Sequence, residues 1–415
     1  MEKLRIAIVI KQGYQPTAGG GFSYYERLVE AIDNYTFYDE IDFCFLNLDD
    51  KVKYNFKKKT LTYSFAGSKN KNRGILAIRV WNRIFNLPVL KRANGRERNI
   101  QRLREFIIRD TELFLEKNKV DLLYYLVPEF IEKPVPFNYP YIITHWDLGH
   151  KSTFAFPEVS MNNEFENRDR YHRDVLNRAF AIFAESESGK KELVFYERIN
   201  PERIFVVPMF AGKVVDMELD KEAQQQILTK NELVKNEFFF YPAQFWSHKN
   251  HFNLLRAFTT FVDKYPKVKL VLAGSDKGNM AYIIQVISDL ELSANVICPG
   301  FVSDDTIYTF YKNAIALVMP TLLGPTNIPP LEAYELGCPV LCSNLEGHRE
   351  MLGDCATYFD PFDPGDIGEK MIQVYENKPR VLIHKSSIEF TLESINNNLH
   401  KIYNYRKSFG YSVKE

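Results

Sequence analysis

The feature that most constrains the fold is a regular alternation of short apolar segments with helical segments. The segments at 4–10, 41–48, 120–127 and 140–148 are largely apolar and seven to nine residues long. Runs of this length predict strands that are buried on both faces, as in a parallel sheet. Between them the apolar residues recur at helical spacing, for example in 99–118. The first half of the chain is therefore predicted to form β/α units around a parallel sheet.

The alternation occurs twice, with a polar connector between the two halves. The first half closes with apolar runs at 181–186 and 203–209, and residues 211–236 form the connector. Six further runs follow, at 237–245, 268–275, 294–301, 314–321, 339–344 and 356–361. A chain of 415 residues is longer than one hydrophobic core usually serves. We therefore predict an α/β fold with two Rossmann-like, doubly wound domains that face a central cleft.

The predicted domain limits follow from these two halves. Residues 1–210 are assigned to the N-terminal Rossmann-like domain and residues 211–385 to the C-terminal one. Residues 386–415 come after the second unit is complete and begin with a long helical segment. We expect this last helix to pack back against the N-terminal domain.

The composition is that of a globular protein without membrane spans. Hydrophobic residues make up 45% and charged residues 26% of the chain, and no segment approaches the roughly 20 apolar residues of a membrane helix. The N-terminus does not resemble a secretory signal, because its apolar run is short, contains Arg5 and lacks a small-residue cleavage site. Five cysteines without C-x-x-C spacing predict reduced thiols. We expect a cytoplasmic protein.

One basic segment, residues 51–109, stands out from a chain whose formal net charge is zero. It holds 17 Lys or Arg residues and two acids, interleaved with aromatic and aliphatic side chains. Such a surface could face anionic lipid headgroups, which would place the protein at the inner face of the plasma membrane. The alternative is a solvated helical face above an ordinary core. No recognisable nucleic-acid-binding motif is present, so we expect no nucleic-acid partner.

The segment "GPTNIPPLEAYELGCPV" (324–340) predicts a short helix that begins just after a strand. Pro330 suits the first helical position and Gly337 suits the end of the helix. In a parallel sheet, such a helix start lies at the edge where ligands bind, and its free N–H groups attract an anion such as phosphate. Glu332 would lie beside that anion and could accept hydrogen bonds from ribose hydroxyls. The alternative is a carboxylate that only complements the helix dipole.

A second candidate segment is "YPAQFWSHKNHFNLLRAF" (241–258), where a strand ends in a turn before a helix. Lys249 is a compact cation that could stabilise a diphosphate leaving group. The alternative is an exposed loop lysine. His248 and His251 have the spacing of a metal-binding pair, but no carboxylate or cysteine motif accompanies them. We therefore expect no metal.

Together these two segments resemble the retaining family-4, or group 1, glycosyltransferases of the GT-B fold, in particular those of bacterial surface-polysaccharide and O-antigen assembly. The resemblance covers most of the chain, and its specific motifs lie in the C-terminal half. It implies that the C-terminal domain binds a nucleotide sugar, that the N-terminal domain binds the acceptor, and that no metal or other cofactor is needed. The sequence has no Asp-x-Asp motif, in agreement.

The resemblance also implies roles for individual residues. Glu332 matches the second glutamate of the family's E-x7-E element, the ribose ligand, whereas Gly324 stands where the first glutamate is usual. Lys249 matches the phosphate-binding lysine, and Gln244 stands in place of an arginine. Other donor-binding positions act largely through backbone groups: Asn327, Ile328, Phe301, Val302, Gly274, and Gly20 and Gly21 of the N-terminal domain.

The segment "THWDLGHK" (144–151) supplies the remaining site candidates. Many relatives have His-Asp at this strand end, whereas here Trp146 precedes Asp147. Strand alternation would put His145 and Asp147 on one face and Trp146 on the other. Either His145 or His150 could meet the donor sugar or the acceptor, and we expect Asp147 and His150 to face the cleft. With Lys249, these are the candidate catalytic residues.

The resemblance implies transfer of a sugar from a nucleotide-diphosphate donor to a glycan or lipid-linked saccharide. Two alternatives from other classes stay open. A sugar-nucleotide epimerase would share the two-domain layout, and a catalytically weak scaffold would bind a partner enzyme or a glycan. A dinucleotide dehydrogenase is disfavoured, because no G-x-G-x-x-G motif follows the first strand.

Overall fold

Two parallel β-sheets form the framework of the protein. The structure is a computed structural model and describes residues 3–11, 13–14, 20–48, 53–63, 108–128, 138–379 and 387–408. The first sheet contains strands β1 Leu4–Val9, β2 Ile41–Asn47, β3 Thr60–Thr62, β4 Leu122–Tyr125, β5 Tyr141–His145, β6 Ala181–Ala184 and β7 Ile204–Val206. The second contains β8 Phe238–Pro242, β9 Lys269–Ala273, β10 Val296–Gly300, β11 Leu317–Met319, β12 Val340–Ser343 and β13 Thr357–Phe359.

Helices connect the strands within each sheet. The first group is α1 Gly20–Asn34, α2 at 108–117, α3 Gly149–Ser152, α4 Pro157–Ser160, α5 Glu164–Asp174 and α6 Glu187–Glu197. The second group is α7 Lys221–Lys230, α8 His251–Lys264, α9 Met280–Asp289, α10 Asp304–Asn313, α11 Ile328–Glu335, α12 Glu346–Leu352 and α13 Pro364–Asn377, followed by α14 Ser387–Ser408. The predicted fold of two Rossmann-like units is confirmed.

The order of the strands indicates where a ligand-binding site lies. The sheets run β3-β2-β1-β4-β5-β6-β7 and β10-β9-β8-β11-β12-β13, and every pairing among the described strands is parallel. The order therefore reverses between β1 and β4 in one sheet and between β8 and β11 in the other. Ligands of doubly wound sheets bind outside the carboxyl ends of the strands at such a reversal.

Each predicted apolar run contains a strand, usually shorter by one to several residues at its ends. Strand β3 was not predicted, because only Leu61 of its three residues is buried and no apolar run marks it. The first sheet ends at Val206 and the second begins at Phe238. The predicted boundary near residue 210 lies between them.

The last helix packs against the N-terminal unit, as expected. Leu392, Ile395, Leu399 and Ile402 of α14 are buried in the same core as strands β1, β2 and β4. The helix is also tied by hydrogen bonds, since Ser394 Oγ and Asn398 Nδ2 both donate to one carbonyl at the end of β7. These contacts make α14 part of the N-terminal core.

Charged side chains join the two units at separate points. Arg27 of α1 is 6% exposed, and its guanidinium donates to both carboxylate oxygens of Asp216 at 2.8 Å. Glu350 of α12 accepts hydrogen bonds from the N–H groups of Glu187 and Ser188, at the start of α6. Because these contacts lie on different elements, they fix the orientation of the units across the cleft.

The basic segment 51–109 lies mostly outside the described residues, so its suggested contact with lipid stays a prediction. None of the helices in the ranges given above has both the length and the apolar character that crossing a bilayer requires.

Candidate active site

A cleft of about 1050 Å³ lies between the two units. Its walls come from the carboxyl ends of β5 and β6 on one side and of β8, β9 and β11 on the other. Eleven of the predicted site residues line it: Gly20, Gly21, Asp147, Gln244, Lys249, Gly274, Phe301, Val302, Asn327, Ile328 and Glu332. The structure therefore brings together residues that are more than 300 positions apart in sequence.

Helix α11 starts at the floor of the cleft. It begins at Ile328, two residues before the predicted start, so Pro329 and Pro330 are its second and third residues. Prolines are tolerated there because the first N–H groups of a helix have no partner within the helix. The N–H groups of Asn327 and Ile328 precede the prolines. They are the backbone donors at this helix start.

Glu332 sits one turn into α11 and lines the cleft. Its Oε2 accepts a hydrogen bond from the Tyr311 hydroxyl at 3.0 Å. Gly212 approaches from the other side, so closely that a Cβ on it would lie 2.2 Å from Glu332 Oε1. Burial raises the pKa of Glu332 to about 7, although the Tyr311 hydroxyl and the Gly212 N–H oppose this rise. The carboxyl group is thus held in a fixed position.

Lys249 lies at the end of a short turn, Ser247–Lys249, and its ammonium reaches the start of α11. Nζ donates to Asn327 Oδ1 at 3.1 Å. Burial lowers the pKa of Lys249 to about 8, although the charges of Asp147 and Glu158 oppose this. The lysine is therefore still largely charged at neutral pH, and it lies next to the N–H groups at the helix start. A cation and free amides together make a site for an anion.

A histidine that the sequence did not single out orients this pair. His348 Nδ1 donates to the Ser343 carbonyl oxygen at 2.8 Å, so in the neutral ring Nε2 is an acceptor. Asn327 Nδ2 donates to that Nε2 at 3.1 Å, which leaves Asn327 Oδ1 directed at Lys249. Burial lowers the pKa of His348 to about 4 and keeps the ring neutral. No motif in the sequence indicated this role.

The two departures from the family pattern have structural explanations. Gly324 has φ +101°, a backbone conformation that side chains rarely adopt, and a Cβ there would lie 3.1 Å from the Thr326 carbonyl oxygen. A glutamate at this position would therefore be strained. Gln244 lines the cleft and accepts a hydrogen bond from Trp246 Nε1 at 3.0 Å. Its side chain is engaged with this neighbour.

Two of the predicted glycines, Gly274 and Gly21, pack closely against their neighbours at the cleft. A Cβ on Gly274 would lie 2.1 Å from the Ala243 carbonyl oxygen, so β8 and β9 can approach here only with glycine. A Cβ on Gly21 would meet the Tyr14 hydroxyl and the ring of Trp146. On the opposite side of the cleft, Phe301 is 65% exposed, with Val302 next to it. An exposed aromatic ring is available to contact a ligand.

Asp147 lies in the wall contributed by the N-terminal unit. Its Oδ1 accepts hydrogen bonds from Arg168 Nη1 and from the Gly149 N–H, both at 2.9 Å. Burial raises the pKa of Asp147, but the charge of Arg168 and these hydrogen bonds outweigh it and hold the pKa below its usual range. Asp147 is thus ionised, as an electrostatic role requires.

The prediction that His150 faces the cleft is wrong. His150 is fully buried, and its ring packs against Phe165 and His172, with centroids 5.4 and 4.7 Å away. His145 is also buried, 5.2 Å from His172, whereas Trp146 lines the cleft beside Asp147. The alternation expected for residues 145–147 fails because β5 ends at His145. His150 lies further on, in helix α3, and packing against α5 buries it.

Burial controls the charge of these histidines. It lowers the pKa of His145 to about 3 and that of His150 to about 4, and the neighbouring His172 reinforces both shifts. Within the described part of the chain, no hydrogen-bond partner reaches either ring nitrogen of these two residues. They are neutral groups behind the cleft wall.

Among the residues that the structure describes, one group of side chains could hold a metal ion. His150, His172 and Glu197 each bring one ligand atom within 4.8 Å of the others. The ammonium of Lys151 lies 3.9 Å from Glu197 Oε1, so a cation would have to share that carboxylate with it. These residues lie behind the cleft wall and do not line the cleft. The expectation that donor binding needs no metal stays a prediction.

A further contact between the units lies at the cleft itself. Glu158 of α4 accepts hydrogen bonds from His248, from its N–H at 2.8 Å and from its ring Nδ1 at 2.5 Å. Both residues line the cleft next to Lys249. The contact therefore joins the two walls beside the anion site.

Comparison with known proteins finds a family match for the part of the chain that holds the anion site. Residues 220–387 match the family model described as "Glycosyl transferases group 1". The serotype-specific mannosyltransferase WbdA of Escherichia coli is 28% identical over 202 residues, which are 47% of this chain and 24% of that protein. The O-antigen chain mannosyltransferase B of Escherichia coli is 22% identical over 223 residues, 54% of this chain and 58% of that protein.

Similarity to solved structures extends over nearly the whole chain. The Anabaena protein HepE, solved in complex with UDP and glucose, aligns with a TM-score of 0.58 and 13% identity, over 97% of this chain and 100% of that one. This likeness shows the fold and agrees with the predicted GT-B arrangement. The match covers only about a quarter of WbdA and somewhat more than half of O-antigen chain mannosyltransferase B.

Proposed function

We propose that the protein is a retaining, metal-independent glycosyltransferase that moves a sugar from a nucleotide-diphosphate donor to a glycan or lipid-linked saccharide. The observation that carries this proposal is the anion site at the start of α11. There Lys249, the Asn327 side chain and free backbone amides converge in a cleft that also contains Glu332 one turn further on. The match of residues 220–387 to group 1 glycosyl transferases supports it.

The geometry gives each group a part in the reaction. As the bond from the sugar to the diphosphate breaks, negative charge develops on the leaving phosphate. Lys249 and the amides of Asn327 and Ile328 stabilise that charge, and they are held in place before the reaction begins. The Glu332 carboxyl group accepts hydrogen bonds from the ribose hydroxyls and so fixes the nucleotide relative to Lys249.

The N-terminal wall completes the site. Asp147 is ionised and lies across the cleft, where its charge can stabilise the positive charge that develops on the sugar. The acceptor enters along this wall, which Trp146, Met161 and Asn162 also line. The contact between Glu158 and His248 joins the two walls beside the anion site and so limits the access of water to the donor. Peripheral attachment to an anionic membrane through residues 51–109 belongs to the same proposal.

The names of the relatives suggest which sugar to test first. WbdA and O-antigen chain mannosyltransferase B are both described as mannosyltransferases. We therefore propose a mannosyl donor as the first candidate and a glucosyl donor as the second, since HepE was solved with UDP and glucose. The acceptor would be a saccharide of surface-polysaccharide synthesis.

The proposal predicts acceptor-dependent release of a nucleoside diphosphate. The purified protein is incubated with GDP-mannose or UDP-glucose, with and without a lipid-linked saccharide acceptor, in the presence of EDTA. We expect nucleoside diphosphate to accumulate only with acceptor, and the anomeric configuration of the product to match that of the donor. Conversion of the donor to an isomer without acceptor would indicate an epimerase instead. If no nucleotide binds, the protein is a scaffold.

We also predict a bell-shaped dependence of donor kcat/KM on pH. In the free enzyme Lys249 loses its proton above about pH 8, so the affinity for the diphosphate falls there. Glu332 gains a proton below about pH 7 and becomes a weaker acceptor for the ribose. The rate constant should therefore decline on both sides of pH 7 to 8. In the variant Lys249→Gln, kcat/KM should no longer fall at alkaline pH. If the fall is unchanged in that variant, another group causes it.

A further inference from the structure

Glu185 lies in the wall of the cleft, although no sequence motif drew attention to it. It follows β6 directly, is 5% exposed and lines the cleft on the N-terminal side. The next residue, Ser186, caps helix α6 by accepting a hydrogen bond from the Gly189 N–H at 2.9 Å. This cap fixes the backbone next to Glu185, so the carboxyl group is held at a defined place.

Two other carboxyl groups lie near Glu185: Asp147, which lines the cleft, and Glu192, which does not. The neighbouring guanidinium of Arg168 hydrogen-bonds to Asp147, which therefore carries the negative charge. Burial and the charge of Asp147 raise the pKa of Glu185 well above its usual range and that of Glu192 to about 7. Thr326 opposes the rise at Glu185. The raised pKa favours the protonated carboxyl group, which can both donate and accept a hydrogen bond.

The hydrogen-bonding capacity of Glu185 is only partly used within the protein, by the hydroxyl and the N–H of Thr326. No partner for its Oε1 exists among the residues that the structure describes. A buried polar atom without a partner lowers stability, so natural proteins rarely keep one without a reason. Both residues line the cleft. A polar ligand that enters it could hydrogen-bond to Oε1.

The position of Thr326 identifies the part of the ligand. Thr326 directly precedes Asn327, which holds Lys249 at the anion site, whereas Glu332 lies further along α11. The diphosphate would lie between these two places, so the group beside Thr326 is the one on the side away from the ribose. At this end Gly324 offers no side chain, and its φ of +101° disfavours any replacement.

We propose that Glu185 hydrogen-bonds a hydroxyl group of the sugar carried by the donor and thereby helps to select that sugar. This assignment rests on the proposed function. The C-terminal unit binds the nucleotide, and the N-terminal unit supplies the carboxylic acid that contacts the sugar. Sugar binding then requires both units to be in place, which links the choice of sugar to the assembly of the cleft.

The test compares a nucleotide sugar with the nucleotide alone. Dissociation constants of GDP and GDP-mannose, with UDP and UDP-glucose in parallel, are measured by calorimetry for the wild type, Glu185→Ala and Glu185→Gln. We expect Glu185→Ala to raise the dissociation constant of the nucleotide sugar about fivefold and to leave that of the nucleoside diphosphate unchanged. Glutamine retains a donor and an acceptor, so Glu185→Gln should lose less. The matched control is Glu192→Gln, which changes a neighbouring carboxyl group that does not line the cleft and should bind both ligands like the wild type.

Donor analogues identify the hydroxyl group. A set of nucleotide sugars, each lacking one sugar hydroxyl, is measured against the wild type and Glu185→Ala. For one analogue the wild type should lose affinity and Glu185→Ala should show no further loss, because the two changes remove the same contact. Equal weakening of nucleoside diphosphate and nucleotide sugar in Glu185→Ala would overturn the assignment. So would unchanged binding in that variant, or penalties that add for every analogue.

The outcomes separate this assignment from the function on which it rests. A wild-type protein that binds none of the four nucleotides overturns the proposed function and this inference with it. A wild type that binds and transfers the sugar, with Glu185→Ala indistinguishable from it, overturns the role of Glu185 alone. If both Glu185 variants unfold at the same temperature as the wild type, misfolding is excluded as the cause of a loss of binding. If Glu185→Ala is destabilised, the binding measured for Glu185→Gln tests the role of Glu185.

Discussion

We expect replacement of Lys249 by alanine to reduce kcat about a hundredfold, the scale of losing one preorganised group that stabilises developing negative charge. The ammonium donates to Asn327 Oδ1 at 3.1 Å and faces the amides at the start of α11. It is half-buried, so little solvent is available to replace it. The measurement is steady-state release of nucleoside diphosphate at saturating donor and acceptor, near pH 7.5.

Two further variants make this result specific to charge at the leaving group. Lys249→Gln keeps most of the side-chain volume and should lose nearly as much activity as alanine. Lys264→Ala removes an exposed lysine that pairs with Glu376 far from the cleft, and it should be as active as the wild type. Activity of Lys249→Ala within about threefold of the wild type, where an oxyanion-stabilising group is worth far more, would show that another group carries the leaving-group charge.

For Glu332→Ala we expect more than a tenfold loss of donor kcat/KM, which corresponds to about 1.4 kcal/mol in the barrier. Its carboxyl group is held by the Tyr311 hydroxyl at 3.0 Å and lies against Gly212. Alanine leaves the ribose hydroxyls without their acceptor, and the nucleotide is then less well placed relative to Lys249. The loss should appear mainly in KM and also in the dissociation constant of the nucleoside diphosphate.

The ribose assignment has its own control. Donors that lack the 2′- or the 3′-hydroxyl should be poorer than the normal donor for the wild type but not for Glu332→Ala, since each change removes the same hydrogen bond. Glu376→Ala, an exposed carboxylate remote from the cleft, should leave both parameters unchanged. If the deoxy donors lose as much in Glu332→Ala as in the wild type, the carboxyl group does not contact the ribose.

Most of the fold could be predicted from local sequence. Strands buried on both faces need continuous apolar runs, and these runs are visible without any knowledge of the partner strand. Strand β3 escaped because it is a short edge strand in which Leu61 alone is buried. The helix start at Ile328 was misplaced by two residues, because proline is acceptable throughout the first turn and so does not mark a single position.

The site was predictable where a motif is continuous in sequence. Lys249 and Glu332 belong to such segments, and both line the cleft. Glu158, Glu185 and His348 were missed because their roles depend on groups that come near only when distant segments are packed together. The misplacement of His150 has a related cause. His150 lies in the short helix α3, and its contacts with Phe165 and His172 of α5 turn it away from the cleft.

The position of helix α14 has a consequence for dissecting the protein. Because Leu392, Ile395, Leu399 and Ile402 complete the core of the first sheet, the N-terminal domain is not a contiguous piece of the chain. A fragment that stops at residue 210 would leave the hydrophobic surface under α14 open to water, and it should aggregate or fail to fold. The chain must also pass between the domains twice, once before β8 and once after α13.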